Sequence, residues 1–293
     1  MNNKDILKKY LAYDEKVRIF VIDATNMVKG ARKIHGLSNV ATAALGRTLM
    51  VTTIMSNMLK EKGHKITVQI KGKGPLKSIV VCGDNSLKMK GYVANPNIEL
   101  PLNDKKKLDV KGAIGEGFLN VIKDIGLKDP YVGYSELVSG EIAEDFAYYF
   151  VTSEQTLCAV SLGVNISKRN EVEKAFGYII EPLPNCDDNV ISILEAINSN
   201  IPSVTNLAID LQDIDDIAKT ITGDNNLKCI EEVVPKFECD CNEKRIDRTI
   251  IALGKKEALE AARNNNNVLE ISCNFCNKVY KYDIENIDKL FKN

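Results

Sequence analysis

Four of the eight cysteines fall in two tight clusters near the end of the chain, Cys239-Asp240-Cys241 and Cys273-Asn274-Phe275-Cys276, and this pairing constrains the fold more than any other feature. Thiolates one or two residues apart can turn their sulfurs toward a common point. Two such claws facing each other across a loop complete a tetrahedron, the geometry Zn²⁺ takes in structural sites. The second claw has the usual Cys-x-x-Cys spacing, whereas the first is Cys-x-Cys and the 31 residues between them exceed the common zinc-ribbon loop. Buried free thiols are the plain alternative, because cysteine behaves as a small hydrophobe. Asp240, Asn242, Glu243, Asn274 and Asn277 argue against it, since polar neighbours suit turns at a metal and not a core strand. A redox pair stays open. Structural disulfides are not expected: the opening Met1-Asn2-Asn3-Lys4-Asp5 leads into no apolar leader, and a reducing cytosol keeps thiols reduced. The expectation is a cytoplasmic protein with one Zn²⁺ per chain, held by Cys239, Cys241, Cys273 and Cys276.

The 293 residues, 44% hydrophobic and 27% charged, suffice for one substantial core and a smaller unit. No run of about 18 apolar residues occurs, so no membrane partner is expected. The formal net charge of -1 is unevenly spread. Residues 182 to 232 hold 2 basic against 10 acidic side chains, between a main block at net +6 and a nearly neutral final block at net +1. The acidic segment repels nucleic acid, and the cysteine-bearing block lacks the basic footprint of a nucleic-acid reader.

Val17 to Asp23 predicts a strand, with Asp23 and Thr25 as caps for the segment after it. Asn39 to Lys60 predicts a long helix buried on more than one side, as core and not a cofactor box. Strands are expected at Lys65 to Lys71, Leu76 to Cys82 and Leu87 to Val93 as an antiparallel meander, then at Phe118 to Ile125, Tyr131 to Val138, Thr156 to Val164 and Ala175 to Glu181. Gly72-Lys73-Gly74 and the glycines at 112, 115 and 117 lack the Gly-Lys-Ser/Thr of a phosphate loop and are expected to be turns. Ser139-Gly140-Glu141 is expected to open a helix from Ile142 to Ser153. In the acidic block, Val190, Leu194, Ile197 and Ile201 form one apolar stripe, and Leu207, Leu211, Ile214, Ala218 and Ile221 a second, each needing a surface to dock on. No βαβ alternation emerges, so the fold class is α+β: a main domain over 1–181 with antiparallel strands, an acidic helical linker over 182–232, and a zinc-binding module over 233–293. No constellation suggests an enzyme: His35 and His64 lie far from the cysteine clusters, and no His-Glu-x-x-His or Gly-x-Ser-x-Gly occurs. Cys82 and Cys158 are expected to be inert core, Cys186 and Cys229 to be accessible.

The run Phe237-Glu238-Cys239-Asp240-Cys241-Asn242-Glu243-Lys244-Arg245, the segment Ile250 to Gly254, and Cys273-Asn274-Phe275-Cys276-Asn277-Lys278-Val279-Tyr280 resemble the zinc module of the heat shock protein 33 family of redox-regulated chaperones. The resemblance extends through ATAALGR at 41 to 47, VQIKGKGP at 68 to 75, KGYVANP at 90 to 96, SGEIAEDFAYYF at 139 to 150 and GYIIEPLP at 177 to 184. It implies an ATP-independent holdase for unfolding client proteins, inactive while reduced and zinc-bound, and activated when oxidation of the four cysteines releases the metal and part of the chain unfolds. It also implies client binding and dimerisation through the main domain, with a homodimer as the active form. Asn242 departs from the serine more usual after the Cys-x-Cys, and the Asn264 to Asn267 run is idiosyncratic. On oxidation, disulfides are expected between Cys239 and Cys241 and between Cys273 and Cys276, because sequence neighbours stay close once the metal leaves. The competing readings are a zinc-ribbon nucleic-acid binder, which the charge disfavours, and a thiol oxidoreductase, which would want its Cys-x-x-Cys opening a helix in a thioredoxin-like setting.

Overall fold

A computed structural model of the chain describes residues 4–201 and 203–291, so Met1, Asn2 and Asn3 of the opening lie outside the described residues. The chain forms two compact units, Met1–Phe237 and Glu238–Asn293.

The first unit is built around a helix buried along almost its whole length. Helix α1 (Thr25–His35) follows the hairpin β1 (Ile6–Ala12) and β2 (Val17–Asp23), and α2 (Asn39–Asn57) comes next. Of the α2 residues, Val40 to Gly46 and Thr48 to Ser56 are all buried. Its small residues allow close approach: a Cβ on Gly46 would stand 2.8 Å from a Val164 methyl. Its buried hydroxyls are satisfied along the helix, Thr48, Thr52 and Thr53 each donating to the carbonyl four residues back.

Two sheets enclose α2. The larger contains β3 (Lys65–Gly72), β4 (Ser78–Asp84), β5 (Lys88–Val93), β6 (Gly117–Asp124) and β7 (Tyr131–Glu136) in the antiparallel order β5-β4-β3-β6-β7. The short α3 (Val110–Ile114) precedes β6. The two glycine clusters meet each other here: a Cβ on Gly72 would fall 1.9 Å from the Ile114 carbonyl oxygen, and one on Gly117 1.9 Å from that of Lys71. Helix α4 (Ala143–Ser153) opens through Asp145, not through Ser139: the buried Asp145 carboxylate accepts the backbone N–H groups of Val138, Ser139, Gly140 and Ile142.

The second sheet adds β8 (Ala159–Ile166) and β9 (Val172–Pro182) to the first hairpin, in the order β1-β2-β9-β8, with its inner face, including Leu7, Phe20, Ile22 and Ile179, turned to the core around α2. The acidic segment covers the opposite face. Helices α5 (Asp188–Ser199), α6 (Val204–Leu211) and α7 (Ile214–Thr222) bury Leu194, Val204, Ala208, Ile217, Ala218 and Ile221 against Tyr10, Val17, Ile19, Val21, Phe176, Tyr178 and Ile180. The second apolar stripe is therefore two helices: Gln212 has φ 59°, and the Asp213 side chain caps α7 by accepting from the N–H groups of Asp215 and Asp216. Leu211, expected inside that stripe, is 38% exposed because it ends α6 beside this break.

Past α7 the chain rejoins both sheets. Strand β10 (Lys228–Val233) pairs antiparallel with β1, and β11 (Lys236–Phe237) pairs parallel with β5. Residues of the acidic segment thus complete the edge of the second sheet, and the first unit closes at Phe237, beyond the boundary at 232 that charge alone marks out.

The start of α1 is capped by a side chain from β1's approach. The N–H groups of Asn26 and Met27 donate to the two oxygens of Asp5 at 2.7 and 2.6 Å, while Asp23, of the helix's own groups, takes the N–H and hydroxyl of Thr25 and also pairs with Lys174. Burial raises the Asp5 carboxyl from 3.8 to about 6, against the lowering effect of those two N–H groups. Between pH 4 and 6 the folded state then binds more protons than the unfolded state at this position, so stability from Asp5 is present at low pH and lost as pH rises through about 6. Urea unfolding of the wild type and Asp5→Asn at pH 4.5 and pH 7 should show their stability difference shifting toward the wild type at the lower pH, by on the order of 2 kcal/mol. A difference independent of pH would refute the assignment.

Candidate metal centre

The second unit has a core of eight buried residues: Ile246, Ile250, Ala258, Ala262, Leu269, Tyr280, Tyr282 and Ile287. They come from α8 (Glu243–Leu253), α9 (Lys255–Arg263), the hairpin β12 (Val268–Ser272) and β13 (Val279–Asp283), and α10 (Ile284–Leu290). So small a core leaves the unit in need of a cross-link.

Each claw sits where the local backbone turns it inward. Cys239-Asp240-Cys241 runs directly into α8, whose first turn is capped by Asn242 accepting from the Arg245 N–H at 3.1 Å. An asparagine serves this position as well as a serine does. Cys273 and Cys276 lie in the β12–β13 turn: the N–H of Asn277 donates to the Cys273 carbonyl at 2.8 Å, the N–H of Cys273 to the Lys278 carbonyl at 2.9 Å, and Asn277 takes the left-handed φ of 58° that closes the turn. Asparagine tolerates that conformation better than other residues with a Cβ.

The structure brings all four expected sulfurs together, within 4.8 Å of one another. The short contacts run between claws, 3.7 Å from Cys239 to Cys273 and 3.3 Å from Cys241 to Cys276. A tetrahedron with metal–sulfur bonds of 2.3 Å has sulfur–sulfur edges of about 3.8 Å. The donors are four thiols and nothing else, at half-buried positions, so the residues present fit a soft tetrahedral cation such as Zn²⁺.

Around them lie groups that favour sulfur as an anion. The N–H of Cys241 donates to the Cys239 sulfur and that of Lys278 to the Cys276 sulfur. The Tyr280 hydroxyl donates to the Cys241 sulfur at 3.2 Å, and the Lys278 ammonium lies 4.7 Å from the Tyr280 ring centre. Burial alone pushes the Cys241 thiol up, but the hydrogen bonds from Tyr280 and the neighbouring thiols outweigh it and bring the group to about 7. Burial raises Cys239 and Cys276, and donation to Cys241 raises Tyr280. One sulfur is thus prepared as a thiolate near neutral pH, and a cation would be needed to hold all four so. Tyr280 is the functional residue that cysteine spacing alone does not mark.

The other four cysteines stay apart and join no second group of ligating side chains among the described residues. Cys158 is half-buried, and burial followed by the Glu181 charge pushes its thiol up to about 12. Cys82 contacts the Thr67 hydroxyl at 3.5 Å, and Cys229 is exposed on β10. Cys186 is half-buried, its thiol raised by burial and by Asp187.

Comparison with known proteins agrees with this geometry over nearly the whole length. The family model described as Hsp33 protein matches residues 5–283. A 33 kDa chaperonin from Acetivibrio thermocellus is 44% identical over 289 residues, covering 99% of this chain and 97% of that protein. One from Ruminiclostridium cellulolyticum is 43% identical, covering 97% and 98%. The crystal structure of the 33 kDa chaperonin from Thermotoga maritima superposes with a TM-score of 0.91 at 36% identity, covering 99% of this chain and 98% of that one.

Cobalt titration of the reduced protein should give one tetrahedral, thiolate-bound ion per chain, seen as sulfur-to-metal charge transfer. Cys82→Ser and Cys158→Ser should leave stoichiometry and spectrum unchanged, whereas serine at any of the four clustered positions should abolish the full-sulfur spectrum. Loss of metal in either of the first two variants would show the ligands to be misassigned.

Proposed function

Because the chain belongs to the heat shock protein 33 family of chaperones, we propose that it is a redox-gated, ATP-independent holdase of the cytoplasm, silent while reduced and loaded with one Zn²⁺ on Cys239, Cys241, Cys273 and Cys276. The observation that carries the reading is the placement of four sulfurs within 4.8 Å in a unit with only a small core of its own. When bound, the metal supplies a cross-link and holds every sulfur as thiolate, the form oxidants attack. A structural zinc contributes an apparent ~10 to 16 kcal/mol in small modules, so a unit of this size does not keep its fold without it.

Peroxide then removes two electrons from each pair of thiols, the S–S bond forms, and the oxygen leaves as water. In the resting geometry the short contacts run between claws. The proposed products are nonetheless Cys239 with Cys241 and Cys273 with Cys276, because pairing is settled in the opened chain, where sequence neighbours meet most often. Peptide mapping of oxidised protein should show these two pairs. Dominant cross-claw products, or pairs through Cys186 or Cys229, would refute the scheme.

The client surface we infer is the outer face of the second sheet, with α5 to α7 as its cover. Fourteen buried hydrophobic residues meet there, and each fully buried large aliphatic side chain contributes roughly 1.5 to 3 kcal/mol. Polar contacts fix the cover in place. Lys8 pairs with Asp215 at 2.9 Å and Lys16 with Asp187 at 2.6 Å, the Tyr10 hydroxyl also bonds Asp215, and the Tyr13 N–H donates to Asp224 at 2.7 Å. Undocking exposes apolar surface on both partners, which binds unfolded chains with little selectivity. The family resemblance further supports a homodimer as the active form, through the first unit.

Peroxide-treated protein should suppress aggregation of a heat-unfolding client, and the reduced protein should not. Placing Asp at Leu194 and Ile217, both buried under the cover, should make the reduced, metal-loaded protein active, because an unpaired buried charge costs several kcal/mol and releases the segment. If that variant stays inactive while hydrogen exchange shows α5 to α7 open, the client surface lies elsewhere.

A further inference from the structure

A second site stands in the first unit, apart from the covered sheet face. A cavity of about 550 Å³, within the usual range for small-molecule pockets, is lined by Lys29, Arg32 and Lys33 of α1, by Gly36 and Leu37 just beyond it, and by Asn170, Glu171 and Val172. Lys29, Arg32 and Lys33 share one face of the helix at i, i+3 and i+4 spacing. None of the three forms an ion pair among the described residues, whereas partly buried cations elsewhere in the first unit, Lys8, Arg18, Arg47, Lys123 and Lys174, each meet a carboxylate.

Arg32 is the most telling of them. Its guanidinium reaches only neutral oxygens, that of Asn39 at 2.8 Å and the Thr42 hydroxyl at 3.3 Å, and burial draws its pKa below the ordinary value. Guanidinium carries five donors, and the rest find no partner among the described residues. The Asn39 amide is in turn held by the Asn170 oxygen at 2.8 Å, so the wall opposite α1 is fixed. Cations in the last turn of α1 complement its dipole, which accounts for Arg32 and Lys33. It accounts neither for Lys29, a turn earlier, nor for a partly desolvated arginine with no counter-charge at the wall of a cavity. Glu171 is the one carboxylate of the lining, against three cations.

We propose that this cavity binds a phosphorylated small anion, with Arg32 as the bidentate anchor and Lys29 and Lys33 neutralising the remaining charge. Planar guanidinium matches the paired oxygens of a phosphoryl group, while lysines serve as adjustable point charges. Two lysines beside one arginine provide for more than a single phosphate, so a di- or triphosphate chain fits better than orthophosphate.

Calorimetric titration of the reduced full-length protein with pyrophosphate, tripolyphosphate and ATP at constant ionic strength tests this. Tripolyphosphate should bind one per chain, and Lys29→Glu/Lys33→Glu should weaken it roughly tenfold or more, as expected when charged hydrogen bonds are lost. Arg32→Gln should weaken it likewise. The double lysine variant is decisive because it leaves the contacts of Arg32 with Asn39 and Thr42 in place; equal circular-dichroism melts will show it folded. Tighter binding of ATP than of tripolyphosphate would identify a nucleotide as the natural source of the phosphates, and equal binding the bare chain; both support the site. No binding beyond that of sulfate at matched ionic strength, or unchanged binding to the folded lysine variant, overturns it.

Discussion

Four sulfurs cannot stay within 4.8 Å of one another as anions without a positive charge among them. That constraint governs the second unit. Neutral thiols could crowd in this way, but the surroundings are arranged for anions, with two backbone N–H groups and the Tyr280 hydroxyl directed at sulfur. The small core of the second unit and its sulfur cluster therefore belong together: helices α8 to α10 pack on a hairpin whose turn is one of the two claws. A cation held among the four sulfurs would give the claws their reason to meet, and its loss would remove that reason.

The first unit obeys a different rule. Its larger core lies between two sheets and needs no cross-link, and the acidic cover adds a second, smaller cluster on the outer face. Acidic side chains that would repel one another in isolation are interleaved with Lys8, Lys16 and the hydroxyl and backbone of Tyr10 and Tyr13 on the sheet. Such contacts between partly exposed groups add little stability singly, so they fix the placement of a layer that apolar burial holds down.

Much of this was legible in the residues because it is local. Cys spacing located the claws, Val17 to Asp23 reads as the strand it is, and the small-residue pattern of α2 announced burial on several sides. What escaped depends on partners distant in sequence. Strand β10, Lys-Cys-Ile-Glu-Glu-Val, is an exposed edge strand without clean alternation, and only its pairing with β1 makes it one. The cap supplied by Asp5 to α1 spans 21 residues and exists because the β1–β2 hairpin brings them together. The 0, 4, 7, 11, 14 spacing from Leu207 ran unbroken through Gln212 and Asp213, where the Asp213 cap starts a new helix. Helices α8 and α9 occupy what cysteine spacing alone treats as a loop between claws.

The return of β10 to β1 gives the cover a topology of its own. Strand β9 leads into the acidic helices and β10 leads out of them, and both belong to the same sheet. A detached cover would remain a closed loop, sewn at both ends to the surface it had left. Its re-docking is then unimolecular, governed by an effective concentration set by loop length, which grows costlier only logarithmically as the loop lengthens. A bound client would compete against a tethered neighbour and not a free one. Dilution cannot lower that neighbour's concentration, and peeling β10 from the sheet edge is the step that would let it rise or fall.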